Sequence, residues 1–151
     1  MKSTLTYALA ALACAGVFFL LYMSQNLQMP SAKNATRSIE VEDTTIIVEV
    51  ADTESSRERG LSGRRSLLRG NGMLFVFESG ATAGIWMKDM QFPIDIIWIN
   101  ASSTVITIAH DVSPDTYPNI FYPSSPARYV LEVPAGFAKQ IGVAEGTKIV
   151  L

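Results

Sequence analysis

One acidic residue lies inside a segment that is otherwise apolar and is the first candidate for chemistry. Asp95 interrupts the run Pro-Ile-Asp-Ile-Ile-Trp-Ile at residues 93–99. An ionised carboxylate removed from water is costly unless a cation or several hydrogen-bond donors compensate it. We expect Arg64, Lys88 or Arg128 to supply that cation, and the planar guanidinium of arginine suits bidentate pairing best. Two interpretations stay open, a structural salt bridge and a functional carboxylate with a shifted pKa in a cleft.

A second acidic residue, Glu132, lies in the apolar segment at residues 128–133. Together with Asp95 it could form the acid and base of an enzyme that cleaves carbohydrates. That chemistry needs two carboxyl groups about 5–10 Å apart across an open groove. The sequence gives no distance between them, and two acids on separate strands are also common without any catalytic role.

Four aromatic residues, Trp86, Trp98, Phe121 and Tyr122, could form a platform for sugar rings or other apolar ligands. Because Trp98 lies within the most apolar segment, we expect it in the core. Trp86 lies between a glycine and Lys88, and packing in the core is favoured over exposure there as well.

Other kinds of chemistry find little support. Met87 and Met90, with Met73 and the single histidine His110, have the donor types of a soft-metal site, but ordinary packing explains the methionines. We therefore expect no metal and no cofactor. A lone histidine without a Gly-x-Ser-x-Gly segment argues against a nucleophile triad, and no phosphate-binding loop is present. The one cysteine, Cys14, lies in the apolar N-terminus, so residues 24–151 form no disulfide with one another.

The N-terminus has the composition of a membrane anchor. Residues 5–23 carry no charge, and a helix of 19 residues spans about 28 Å, close to the hydrocarbon thickness of a bilayer. Lys2 precedes this run and no basic residue follows until Lys33, which predicts a cytoplasmic N-terminus and a C-terminal part outside the cytoplasm, at the cell membrane. A retained single-pass helix at residues 1–23 is favoured over a cleaved signal peptide.

Behind the anchor we predict a flexible linker at residues 24–38 and one globular domain at residues 39–151. The domain holds all 14 acidic residues and nine of the 12 basic ones, a net charge of −5. A mildly acidic surface without a basic stripe argues against nucleic acid as a partner.

Alternation of apolar and polar residues dominates the domain and predicts β-strands. Predicted strands cover residues 45–51, 73–77, 93–99, 104–109, 128–133 and 147–151, the third and fourth of them forming a hairpin. Short helices are predicted after a cap at Asp52 or Thr53 and up to Gly60, at residues 64–68 and at 135–141, with a long loop at 111–127. We therefore expect a mainly β fold, a small β-sandwich or partly closed barrel with one to three short helices.

Several motifs in this order resemble a known family, domain of unknown function 192. They are Arg59-Gly60-Leu61, Gly72-Met73-Leu74-Phe75-Val76-Phe77, Trp86-Met87-Lys88, Pro93-Ile94-Asp95-Ile96-Ile97 and Tyr129-Val130-Leu131-Glu132-Val133-Pro134-Ala135-Gly136. The resemblance implies a mainly β, jelly-roll-like domain, often behind an export signal, and implies no activity. The chain departs from the family pattern at Ser62, Met90 and Thr147, where methionine, threonine and aspartate are usual.

The residues above favour a non-enzymatic domain of the cell envelope that binds a small ligand, glycan or protein partner. The candidate binding residues are Arg64, Trp86, Lys88, Asp95 and Glu132. Arg64 and Lys88 would balance charge, the two acids would accept hydrogen bonds, and Trp86 would supply apolar contact. The alternative is a small hydrolase of envelope polysaccharide that acts through Asp95 and Glu132.

Overall fold

The computed structural model describes residues 34–82 and 84–151, without the side chains of residues 79–81. The predicted anchor at residues 1–23 and most of the predicted linker lie outside the described residues. Within them, no helix has both the length and the apolar character needed to cross a membrane. The first strand begins at Thr36, so the end of the predicted linker, residues 36–38, belongs to the domain.

Nine strands and three short helical segments make up the described part of the chain. The strands are β1 (Thr36–Val41), β2 (Thr44–Ala51), β3 (Asn71–Ala81), β4 (Ile85–Trp86), β5 (Ile94–Ile99), β6 (Val105–Val112), β7 (Ile120–Phe121), β8 (Ala127–Pro134) and β9 (Ile149–Val150). The helical segments are α1 (Glu54–Arg59), a 3-10 turn (Pro114–Thr116) and α2 (Phe137–Gln140).

Seven of the strands form one curled sheet in the order β6-β5-β8-β3-β2-β1-β9, and β4 and β7 form a separate two-stranded ribbon. Among the strands of the described residues, β2 and β3 pair in parallel and the other pairs are antiparallel. The two edges of the sheet meet beside β6 and β9, where Thr104 bridges Lys148 and the Val105 amide donates to the Thr147 carbonyl at 2.9 Å. The prediction of a mainly β, partly closed barrel with few short helices is thereby confirmed.

Two apolar clusters lie on the two faces of this sheet. The inner core takes side chains from all seven strands, Val48, Leu74 and Leu131 among them, and is closed by Phe137 of α2. The outer core lies on the other face and includes Met73, Phe75, Ile96, Trp98 and Val130. Because successive strand residues point to opposite faces, β3, β5 and β8 supply both cores and are buried on both sides.

The helix α1 forms where the sequence predicts it. The Thr53 hydroxyl accepts from the Ser56 amide and the Ser56 hydroxyl lies within bonding distance of the Thr53 amide, which is a capping box. Gly60 ends the helix with φ of +48°, a conformation that L side chains rarely adopt. The predicted helix at residues 64–68 is wrong: this stretch is irregular, Leu67 packs against the outer core and Leu68 is 71% exposed.

The prediction of a long loop at residues 111–127 is partly wrong. That stretch holds the end of β6, the 3-10 turn and β7. The strand β7 pairs with β4, Ile85 opposite Phe121 and Trp86 opposite Ile120. Two-residue strands are too short to show alternation, so the sequence gives no signal for this ribbon.

Candidate functional site

Glu132 lies at the centre of the sheet, on the face of the outer core. It is paired with Met73 of β3 on one side and with Ile96 of β5 on the other. Both neighbours are fully buried, and Glu132 itself is only 4% exposed. The alternation of β8 therefore aims an acidic side chain into an apolar layer.

The cation that acts on the Glu132 carboxyl is Arg64, which already forms an ion pair with another acid, Glu49. Glu49 of β2 pairs with Met73 of β3, so Glu49, Met73 and Glu132 form a row across three strands. The Arg64 guanidinium binds Glu49 through both nitrogens, with 2.8 Å between Nη2 and Oε2. This fork-to-fork arrangement is the strongest form of a carboxylate–arginine pair and leaves Arg64 only a longer-range effect on Glu132.

Burial changes the acidity of Glu132. Removal from water raises the pKa of Glu132 to about 8, and the positive charge of Arg64 acts in the opposite direction without cancelling the effect. The carboxyl is therefore mostly protonated at neutral pH when the site is empty. The hydrogen bond between Arg64 and Glu49 raises the pKa of Arg64, so the guanidinium stays charged.

A cleft of about 840 Å³ opens beside Glu132. It lies between α1 with the turn that follows it, the sheet, and the ribbon of β4 and β7. Its lining includes Arg57, Glu58, Arg59, Gly60, Ser62, Phe75, Phe77, Gly84, Trp86, Lys88, Met90 and Glu132. This volume is in the range of small-ligand sites, which are mostly apolar with a few convergent polar groups.

The Glu132 carboxyl is the buried polar group of this cleft lining that has no hydrogen-bond partner among the described residues. Among residues 34–82 and 84–151, no hydrogen bond reaches its oxygens, and burial and Arg64 are the influences on its pKa. No fully enclosed side-chain oxygen or nitrogen in the same residues lacks a partner. The Glu132 oxygens therefore keep access to the cleft, where a ligand can supply the missing partner.

The ribbon of β4 and β7 forms one side of the cleft mouth. Trp86 is 48% exposed, the edge of its ring meets the Tyr117 ring at 5.9 Å between centroids, and the Lys88 ammonium lies 5.7 Å from the indole centroid. A Cβ on Gly84 would lie 2.6 Å from the Tyr122 ring, so only glycine fits beneath it. The expectation that Trp86 packs in the core is wrong, because the ribbon holds this ring at the surface.

Asp95 lies on the opposite face of the sheet from Glu132. It pairs with Val133, one residue away from Glu132 on β8, so alternation turns the two side chains apart. Its oxygens accept from the Asp111 amide at 2.9 Å and the Ala138 amide at 3.0 Å. The predicted partners of Asp95, the cations of Arg64, Lys88 and Arg128, are wrong, because backbone amides compensate this carboxylate.

The positions of Asp95 and Glu132 on opposite faces contradict the hypothesis of a hydrolase that acts through both carboxylates. An acid and a base that act on one glycosidic bond must face the same groove. Asp95 is fully buried beside α2, whereas Glu132 lines the cleft on the outer face. The two residues cannot act on one substrate from opposite sides of a sheet.

The donors of the hypothetical metal site are also separated. Met73 and Met87 are buried in the outer core and Met90 packs against it. His110 lies near Asp95 instead, with 3.9 Å between Nδ1 and Oδ1. Within the described part of the chain, no group of three or more His, Cys, Asp or Glu side chains is arranged to hold a metal ion.

The structure brings some of the residues proposed from the sequence to one cleft and separates the others from it. Three candidate residues, Trp86, Lys88 and Glu132, line the cleft, Arg64 lies beside it, and Asp95 belongs to the other face. The sequence did not indicate Glu49 as the partner of Arg64. It also did not indicate that the side chains of Arg57, Phe75 and Phe77 line the cleft. Ser62 and Met90, two of the departures from the family pattern, also line the cleft.

Comparison with solved structures supports the fold. A crystal structure from Sinorhizobium meliloti, provisionally named a transcription regulator, superimposes with a TM-score of 0.75 at 31% identity, covering 80% of this chain and 96% of that one. A protein of unknown function from Novosphingobium aromaticivorans gives a TM-score of 0.74 at 26% identity, covering 81% of this chain and 89% of that one.

Curated relatives carry only the name UPF0127 protein. The one from Thermococcus gammatolerans is 34% identical over 104 residues, which is 68% of this chain and 64% of that protein. The one from Thermococcus kodakarensis is 32% identical over 104 residues, 68% of this chain and 62% of that protein. The chain thus spans less than two thirds of the length of either relative.

The family model of domain of unknown function 192, described as an uncharacterized ACR, matches residues 36–151. That range begins where β1 begins and includes every strand described above. The chain belongs to the domain of unknown function 192 family.

Proposed function

We propose that the chain is a binding domain that holds a small ligand in the cleft beside Glu132. The observation that carries this proposal is a carboxyl group, 4% exposed, that lines a cleft and has no hydrogen-bond partner among the described residues. Such a group costs free energy in an empty site, and a ligand that donates to it recovers that cost. The aromatic and cationic residues at the mouth supply further contacts.

The cleft suits binding better than catalysis. A carboxyl group with a raised pKa can act as a general acid, but acid–base chemistry needs a second group placed across the reacting bond. Asp95, the second carboxylate considered from the sequence, faces the other way. Exposed Glu58 lines the cleft on α1 and holds no fixed position through a hydrogen bond within the described residues.

Mass spectrometry of the full chain, purified gently from membranes, tests the binding proposal. We expect a co-purifying small molecule on the wild-type chain and at least tenfold lower occupancy on Glu132→Gln, which keeps the shape but not the ionisable group. Glu145→Gln, on an exposed residue outside the cleft lining, is the matched control and should keep the molecule. An empty wild-type chain, or equal occupancy on wild type and Glu132→Gln, would contradict the proposal.

We further propose that residues 1–23 anchor this domain to the cell membrane and place it outside the cytoplasm. The support is the uncharged run at residues 5–23, with Lys2 before it. A protease added to intact spheroplasts that express the chain should digest residues 39–151. Protection until the cells are lysed would place the domain on the cytoplasmic side instead.

A further inference from the structure

The cleft carries a buried acid at its floor and mainly positive charge at its rim. Glu132 lies at the floor, whereas Arg59 and Lys88 are exposed residues of the lining. Arg57 also lines the cleft, but its guanidinium donates to the Asp52 and Val76 carbonyls at 2.7 and 2.9 Å. The exposed carboxylate of Glu58 also lines the cleft, so the cleft has an acidic floor and a rim on which two available cations outnumber one anion.

The rim cations have no carboxylate of their own within the part of the chain that the structure describes. The ion pair there joins Arg64 to Glu49, and the other close contact places His110 Nδ1 3.9 Å from Asp95 Oδ1, so neither Arg59 nor Lys88 forms an ion pair. The contact found for the Lys88 ammonium is the face of the Trp86 ring. An ammonium on an indole face keeps most of its capacity to attract an anion.

Each end of the cleft selects a different group on the ligand. The buried carboxyl of Glu132 gains most from a donor that carries positive charge, because charge-assisted hydrogen bonds are the strongest. The rim cations attract an anion and repel a second cation. A ligand with an amine alone meets repulsion at the rim, and a ligand with an acid alone meets a buried acid at the floor.

We propose that the ligand of this cleft is a small zwitterion of the amino-acid class, whose ammonium group binds Glu132 and whose carboxylate binds Lys88 and Arg59. This inference rests on the proposed function and names the chemical class that the site selects. The cleft volume of about 840 Å³ leaves room for a linker between the two charged groups.

Binding of an ammonium group is coupled to release of a proton. Burial raises the pKa of Glu132 to about 8 in the empty cleft, so the carboxyl must lose its proton before it pairs with the ligand. The charged groups around it are Arg64 with Glu49 on the sheet side, Arg57, Glu58 and Arg59 from α1, and Lys88 after β4. Affinity should rise about tenfold per pH unit from pH 6 towards pH 8 and level off above it.

Linear ω-amino acids from glycine to 6-aminohexanoate test the inference, because they vary the separation of the two charges. Butylamine and butyrate carry one charge each. Binding to the full chain in detergent micelles is followed by shifts of backbone amide signals at pH 8.5. We expect one amino acid to bind at least tenfold more tightly than both single-charge probes.

Variants assign the two ends of the probe. Glu132→Gln should lose at least tenfold in affinity for the best amino acid, and Lys88→Gln should bind it no better than butylamine. Arg65→Gln removes an exposed arginine that is outside the cleft lining and should bind like wild type.

Three results would overturn the zwitterion. If butylamine or butyrate binds as tightly as the best amino acid, the ligand class is singly charged and the zwitterion is rejected. The proposed function stands in that case if binding still depends on Glu132. Absence of shifts at the cleft with every probe would also reject it. In that case, co-purification with wild type but not with Glu132→Gln would still support a ligand of another class.

Discussion

Replacement of Asp95 by alanine is expected to lower the free energy of unfolding by about 4 kcal/mol. The fully buried carboxylate accepts from the partly buried Asp111 amide and from the buried Ala138 amide, and its loss removes both hydrogen bonds. A hydrogen bond to a charged group contributes about 1.5–3 kcal/mol, and there are two of them. Urea denaturation followed by circular dichroism measures the change.

A graded series separates the hydrogen bonds from other effects. Asp95→Asn keeps one acceptor oxygen and turns a donor towards the second amide, so about half of the loss, 2 kcal/mol, is expected. Glu145→Ala is the control, since Glu145 is an exposed acid whose removal should change stability by less than about 0.5 kcal/mol. An Asp95→Ala chain as stable as the control would show that these amides find other partners.

The structural role of Asp95 explains why sequence reasoning could detect the residue but not its use. A carboxylate in an apolar strand must be compensated, which is visible in the sequence. The partner is a pair of backbone amides, on the end of β6 and at the start of α2, 16 and 43 residues away. Backbone amides are the same in every non-proline residue, so no residue type marks them.

The relation of Asp95 to Glu132 depends on strand register, which the sequence does not contain. Asp95 and Glu132 lie on the neighbouring strands β5 and β8 whether Asp95 is opposite Glu132 or opposite the residue next to it. Because Asp95 is opposite Val133 rather than Glu132, the two side chains point to different faces. A shift by one residue would have brought them to the same face, so the hydrolase hypothesis could be tested only with the structure.

The main strands were predictable because their alternation is long enough to read. Residues 45–51 and 128–133 fall inside β2 and β8, and the predicted hairpin of β5 and β6 is antiparallel. The strand β1 was not predicted, since its first three residues are exposed and were assigned to the linker. The burial of Glu132 was not foreseen, because the cover over its face comes from α1 and the ribbon, elements distant in sequence.

Replacement of Glu132 by glutamine is expected to stabilise the domain in a pH-dependent manner while it removes ligand binding. Burial raises the pKa of Glu132 from the ordinary value of 4.5 to about 8 in the folded state. Between these values the folded chain holds a proton that the unfolded chain has lost, so wild-type stability falls as pH rises. The penalty is absent below about pH 4.5 and complete above about pH 8.

A pKa difference of 3.5 between the folded and unfolded states corresponds to about 5 kcal/mol. Glutamine has no such titration, so the stability difference between Glu132→Gln and wild type should grow by about that amount from pH 4 to pH 9. Urea denaturation of both chains across this range measures it, with Glu145→Gln as the reference for loss of an exposed carboxylate. A constant difference between wild type and Glu132→Gln would mean that Glu132 is ionised in the folded state at the same pH as in the unfolded state, and the cleft would then lack the unsatisfied carboxyl on which ligand binding depends.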